Sequence, residues 1–193
     1  MEKPKKLIVY LIRHAEKDLD RRIKYPKEYV RLSTYGKNQA IYLAKRFKGK
    51  KINKIISSDL KRCVETAEPI SKLLSIPIKQ DKDLREVSRE PGLMDLNSKK
   101  PYKRRVRKGE VKRIKRAWNK IIKEKGEIIV ISSGGVNRVI FSLILEMSSN
   151  YPKFSQNPTG VNVITKNMDN IVGIKHVNDI SHLPKRLMRT QVN

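Results

Sequence analysis

Apolar residues along this chain fall into two kinds of run. Lys6 to Ile12 (KLIVYLI) is almost continuously β-branched, aliphatic or aromatic, the pattern of a strand buried on both faces of a parallel sheet, and it ends at Arg13-His14. From Ser33 the period changes. Ala40, Leu43, Ala44 and Phe47 fall on one face of a helix that Ser33 or Thr34 caps and Gly49 stops. Lys54 to Ser58 predicts the next strand, and Asp59 is placed to cap a helix whose Cys63, Ala67, Ile70 and Leu74 share one side. Further on, Val111, Ile114, Trp118 and Ile121 step by three, four and three, so a helix docks by that stripe. Glu127 to Ser132 is a third buried strand, followed by Gly134-Gly135 and an apolar helix through about Met147. Two late strands near Val161–Thr165 and Ile171–Val177 complete the sheet. Strands alternating with helices predict a three-layer α/β/α sandwich with a mostly parallel central sheet, a single domain over residues 1–193 without internal repeat or linker.

Composition narrows the classes. The 193 residues carry 45 Lys+Arg against 19 Asp+Glu, a net charge of +26, yet 38% are hydrophobic, enough for a core. One cysteine, Cys63, excludes a disulfide framework and a Cys-based zinc cluster, and three histidines make a structural metal site a poor expectation. No apolar run is long enough to span a bilayer and no leader-like segment opens the chain, so a cytoplasmic location and no membrane partner are expected. The charge concentrates in residues 99–125, with fourteen Lys/Arg against two acids, a local net of +12.

In an open α/β sheet ligands collect outside the carboxyl ends of the strands, which here carry Arg13-His14, Ser57-Ser58 and Ser132-Ser133. A histidine at a strand end is, by itself, an ordinary surface imidazole. Its neighbours change that reading: Arg62 sits on the first turn of the helix after the second strand, and Gly134-Gly135 opens a helix whose free N–H groups favour an anion. Two arginines, an imidazole and a helix N-terminus describe a phosphate pocket.

These residues resemble the histidine phosphatase, or phosphoglycerate-mutase-like, superfamily. Leu11-Ile12-Arg13-His14-Ala15-Glu16 is similar to its signature, Leu32 to Ala40 (LSTYGKNQA) to its L-S/T-x-x-G-x-x-Q-A, and Ser57 to Ile70 (SSDLKRCVETAEPI) to its S-S-x-L-x-R-x-x-x-T-A. Leu84-Arg85-Glu86 matches L-R-E, and Asn178 to His182 resembles the closing N-x-x-H-L with one residue more. The resemblance implies phosphoryl transfer without cofactor or metal: His14 as nucleophile, Arg13 and Arg62 on the phosphoryl oxygens, Glu86 as proton donor and then base. Gly134 joins them as a backbone phosphate contact.

Two positions depart from the pattern. Ser133 stands in Ser132-Ser133-Gly134-Gly135-Val136-Asn137-Arg138 where the family's second pocket histidine belongs. Losing one such preorganised donor costs about 2.7–4 kcal/mol, or roughly 10²–10³ in rate. An introduced substitution, a natural variant of reduced activity and a pseudo-enzyme that binds without turnover all remain open, and a lysine or His176 is a candidate to compensate. Asp20 lies near where many members carry a phosphate-binding Asn, and an acid there repels the anion.

Only 46 residues separate Glu86 from Ser133, so the cap, a basic insertion at about 87–125, is short. That favours a phosphatase acting on a small phosphorylated substrate or a phosphoprotein over a phosphoglycerate mutase. The alternative is a catalytically weak or inactive phospho-ligand binder, or a nonspecific nucleic-acid binder through the basic 99–125 segment.

Overall fold

The structure, a computed structural model, describes residues 6–18, 27–87, 106–147 and 154–188. Among the described residues six strands form one sheet in the order β3-β2-β4-β1-β5-β6: β1 (Leu7–Arg13), β2 (Ile52–Ser57), β3 (Ile78–Gln80), β4 (Gly126–Ser132), β5 (Val161–Lys166) and β6 (Val172–Asp179). β1 to β4 run parallel, and β5 is antiparallel to both its neighbours. The α-helices of the described residues, α1 (Thr34–Arg46), α2 (Lys61–Leu74), α3 (Lys108–Ile121) and α4 (Gly134–Ile144), cover the two faces. The α/β sandwich with a mostly parallel sheet is the architecture that the alternating pattern predicts.

The continuous apolar runs have a direct cause. Side chains alternate across a strand, so a strand covered on both faces is apolar at every position. Val9 and Leu11 of β1 join Ile128 and Val130 of β4 in a cluster with α3 and α4. Tyr10, Ile12, Ile129 and Ile131 enter the opposite cluster with α1 and α2. There Tyr10 and Phe47 meet edge to face with ring centroids 5.1 Å apart. In α3, Ile114, Trp118 and Ile121 are buried and the basic side faces out.

Local signals explain the helix ends unevenly. Ser33 caps α1, its hydroxyl accepting from the Gly36 N–H at 2.9 Å, and Gly49 follows the helix in the left-handed region. The expected cap of α2 is not Asp59. The N-cap is Leu60, without a side-chain bond, because both Asp59 carboxylate oxygens are taken by Arg85, at 2.8 and 2.7 Å. β3, three residues long, was not among the predicted strands: three positions show no periodicity, and the strand exists because Ile78 to Gln80 complete the edge of β2. Its end lies level with the end of β2, with Gln80 opposite Ser57 and Asp81 N–H on the Ser57 carbonyl at 2.8 Å. This delivers Leu84-Arg85-Glu86 to the sheet edge where β1, β2 and β4 also end. Among the described residues no helix is long and apolar enough to cross a membrane.

Candidate active site

The parallel register sets Arg13 beside Ser132 and Ser57 beside Ile131, so the polar strand ends lie side by side along one edge. Past the end of β1 the backbone stays tied to β4, with the His14 N–H donating to the Ser132 carbonyl at 2.8 Å. Arg13 is buried at 5% exposed, His14 at 3% and Arg62 at 6%.

The state of the imidazole follows from its two partners. His14 Nδ1 lies 2.7 Å from the Ala15 carbonyl oxygen, which only accepts, so Nδ1 carries the proton. Nε2 therefore holds the lone pair, and it accepts from Arg62 Nε–H at 3.2 Å. Desolvation first, then the Arg62 and Arg13 charges, hold the imidazole well below its ordinary pKa, against a smaller opposing pull from the Ala15 carbonyl. His14 is thus a neutral base whose lone pair faces the Arg62 guanidinium.

The matched motifs hold this arrangement in place. Thr66 Oγ1 accepts from the Ala15 N–H at 3.0 Å and donates to the Arg62 carbonyl at 2.7 Å, linking the His14 loop to the first turns of α2. Gln39 Oε1 accepts from the Glu16 N–H at 2.9 Å while its Nε2 donates to the Leu187 carbonyl at 3.1 Å. Gly36 must lack a side chain because a Cβ there would strike the Glu16 carbonyl.

Glu86 reaches the same edge from the β3 side. A Cβ on Gly135 would lie 2.5 Å from both Glu86 Oε1 and Val87 Cγ2, so the carboxylate rests against the opening turn of α4. Its loop is anchored three ways. Leu84 is fully buried, Arg85 makes the paired bonds to Asp59, and Arg113 of α3 donates to the carbonyls of Asp83 and Arg85 at 2.7 and 2.9 Å. The Arg85 pairing holds Asp59 below the usual carboxylate range despite partial burial.

Ser133 is the N-cap residue of α4, and its hydroxyl caps nothing. Its Oγ is fully buried and makes no hydrogen bond. Gly134 next to it packs on Arg13, where a Cβ would lie 3.6 Å from Arg13 Cδ. The structure therefore brings together His14, Arg13, Arg62, Glu86, Ser133 and Gly134. Asp20 lies outside the described residues. His176 does not compensate for Ser133: it is exposed on the edge strand β6 opposite Val163, which pairs with Tyr10, well back from the strand ends and two strands from β1. Among the described residues no group of three or more His, Cys, Asp or Glu side chains is gathered for a metal ion.

Sequence reasoning missed a buried amide ladder behind Arg13. Arg13 Nη1 donates to the Gln156 carbonyl. The Gln156 side chain accepts from Asn137 Nδ2 at 2.8 Å and from Asn162 Nδ2 at 2.9 Å, and Asn162 Nδ2 also reaches the Leu11 carbonyl at 2.7 Å. Ser132 Oγ closes the ladder on Asn137 Oδ1 at 2.6 Å. Asn162 between Val161 and Val163 in a strand carried a usable signal, an amide at a position of a buried run. At the far side of the loop the Thr159 hydroxyl donates to the Pro158 carbonyl at 2.7 Å, which leaves its oxygen to accept from His182 Nε2 at 3.2 Å, and the Thr159 N–H holds the Arg13 carbonyl at 3.1 Å. Burial pulls His182 down to a pKa of about 4.

The family model of the histidine phosphatase superfamily (branch 1) matches residues 9–179. The chain belongs to this superfamily. No curated protein matches the sequence. Among solved structures the superfamily member is similar to YhfR of Bacillus stearothermophilus at 21% identity and a TM-score of 0.72, over 91% of this chain and 98% of that one. It is similar to the phosphoserine phosphatase of Entamoeba histolytica, solved with 3-phosphoglyceric acid, at 22% identity and a TM-score of 0.72, over 92% and 100%. A mycobacterial glucosyl-3-phosphoglycerate phosphatase aligns at 18% identity and a TM-score of 0.70, over 90% and 98%. At these identities the likeness is one of fold.

Proposed function

We propose that this histidine phosphatase family member hydrolyses phosphomonoesters through a phosphohistidine on His14, without a metal. The observation that carries the reading is the fixed neutral state of His14, with Nε2 presented to Arg62 and Nδ1 bound to the Ala15 carbonyl. An incoming phosphate draws the Arg62 N–H from Nε2 to a phosphoryl oxygen, which frees the lone pair, while Arg13 takes a second oxygen in charge-assisted bonds. Nε2 forms the bond to phosphorus as the P–O bond to the leaving group breaks, and the Glu86 carboxyl gives that oxygen its proton. Glu86, now a carboxylate, takes a proton from water as the water oxygen attacks phosphorus. The P–N bond breaks, inorganic phosphate leaves, and both His14 and Glu86 return to their starting states.

The substrate is a small phosphorylated molecule or a phosphoprotein, since the stretch between Glu86 and Ser133 is too short for a long cap. The similar phosphatases act, by their names, on phosphorylated small molecules, which fits. Ser133 favours a second reading, in which the pocket binds a phosphorylated ligand and turns it over weakly or not at all. Hydrolysis of an aryl phosphate in EDTA separates the two. The phosphatase reading expects turnover that His14→Ala abolishes and acid-labile phosphate on the protein after quenching. Turnover unchanged in His14→Ala, or lost on adding EDTA, overturns it.

A further inference from the structure

We infer that the outer face of α3 is a docking surface for the phosphate backbone of nucleic acid, bound without regard to sequence. Lys108, Lys112 and Lys115, followed by Asn119, recur at i, i+4, i+7 and i+11, and all four are exposed. At 1.5 Å rise per residue they form one stripe about 16 Å long.

The basic side chains of α3 divide into two groups with different duties. Arg113, Arg116 and Lys120 pair with carboxylates along one flank, with Glu110, with Asp83, and with Asp81 and Asp83 respectively. These ions brace the loop that carries Glu86. Lys108, Lys112 and Lys115 make no ion pair with any carboxylate of the described residues. Like charges three and four residues apart on a helix repel one another, an arrangement that a polyanion relieves. The net charge of +26 adds a long-range field of the same sign.

The form of the surface selects its partner. A helix that lies on a membrane presents an apolar side to the lipid, whereas the apolar side of α3, Ile114, Trp118 and Ile121, is spent in the core. None of the exposed large apolar residues lies on α3. Nor does the face offer an aromatic ring for base stacking, because Trp118 is only 7% exposed. What remains is a row of ammonium groups, which contacts phosphates and carries no base information.

The test measures affinity for mixed-sequence duplex DNA and duplex RNA against salt, for the full chain, for Lys108→Gln/Lys112→Gln/Lys115→Gln, and for a control, Lys37→Gln/Lys48→Gln/Lys51→Gln. The control removes the same charge from the side of α1. The expected result is equal affinity for unrelated sequences and a slope of log K on log salt that falls by about 0.9 for each phosphate contact removed from DNA, close to three in all for the α3 variant. The control keeps most of the slope. Equal losses in both variants, an α3 variant that binds as the parent does, or stronger binding of the parent to phosphatidylserine vesicles than to either duplex overturns the inference. Circular dichroism melting of both variants confirms that each is folded before binding is compared.

Discussion

Arg62 Nε–H donates to His14 Nε2 across 3.2 Å, so the lone pair of the imidazole and the guanidinium beside it are hydrogen-bonded to each other. In the proposed mechanism binding and activation are therefore one event: moving the Arg62 donor onto a phosphoryl oxygen uncovers the nucleophile. Arg62→Lys keeps a positive charge but loses the planar fork. The expected outcome is a fall in kcat/KM of at least about a hundredfold, or about 2.7 kcal/mol, comparable to losing one preorganised donor. Steady-state kinetics on an aryl phosphate checks it, and a loss confined to KM points to simple anion binding instead.

Proton linkage gives a second expectation. His14 is held well below its ordinary value near 6.5, and His182 is lowered to about 4. As pH falls through 6.5 the unfolded chain takes up a proton on each imidazole while the native protein does not. Stability is therefore full above that value and is lost on acidification, by about 1.4 kcal/mol per pH unit for each histidine until its native pKa is reached. Urea unfolding between pH 6.5 and 5 measures the slope. His182→Gln keeps a donor for Thr159 and should remove about half of it, and an unchanged slope refutes the linkage. In the same window kcat/KM should show no loss from protonation of His14.

His14 and His176 show where the sequence is legible and where it is not. His14 was readable because it ends an unbroken apolar run, and such a run means a strand covered on both faces, whose end faces the ligand edge. Arg62 and Ser133 follow from the same rule at β2 and β4. His176 was placed among possible helpers, but strand register decides its distance from the site, and register on an edge strand like β6 leaves no periodic mark. Asp59 failed as a cap for a related reason: its choice of Arg85, twenty-six residues away, is tertiary. Of the amide ladder only Asn162, an amide inside a buried run, left a mark in the sequence; its partners from α4, β4 and a loop meet it only after folding.

Gly135 offers a substitution that tests the seat of Glu86. A Cβ there would lie 2.5 Å from the Glu86 carboxylate, the end of a flexible side chain, and 2.5 Å from a methyl of Val87, a stiff β-branched residue packed in the core. Gly135→Ala should lower the unfolding free energy by about 1–3 kcal/mol as Val87 gives way, offset in part by the better helix propensity of alanine. Hydrolysis should fall by about tenfold or more as Glu86 is pushed from its seat, a displacement of the kind that costs up to about a hundredfold. Equal activity in the two proteins would show that Glu86 does not act from that position.

Arg113 tests the same carboxylate from behind. Its guanidinium donates to the Asp83 and Arg85 carbonyls, so it fixes the backbone one residue before Glu86 without touching the pocket. Arg113→Ala should lower stability by about 1.5–3 kcal/mol, the usual worth of a charge-assisted bond, and should lower kcat more than it raises KM. A stability loss with unchanged kcat would assign Arg113 to the fold alone. Arg113→Lys should recover part of the stability and little of the positioning, since one ammonium does not span both carbonyls as the fork does.

Ser133 is the position on which the two functional readings part. Its hydroxyl is fully buried at the start of α4 and makes no hydrogen bond, while a buried hydroxyl without a partner costs about 1–3 kcal/mol. Removing it should therefore not harm the fold: Ser133→Ala is expected to be as stable as the parent or more so. If the hydroxyl serves as a donor to the phosphoryl group, the same variant hydrolyses more slowly by about tenfold or more, and stability and activity move in opposite directions. Ser133→His returns an imidazole donor and should raise the rate by roughly 10²–10³ over the parent, the reverse of deleting one preorganised donor. Both outcomes require His14, so His14→Ala/Ser133→His must be inactive. If Ser133→Ala matches the parent in rate and Ser133→His gains nothing, no transition-state donor operates at this position, and the pocket is better described as a phospho-ligand site.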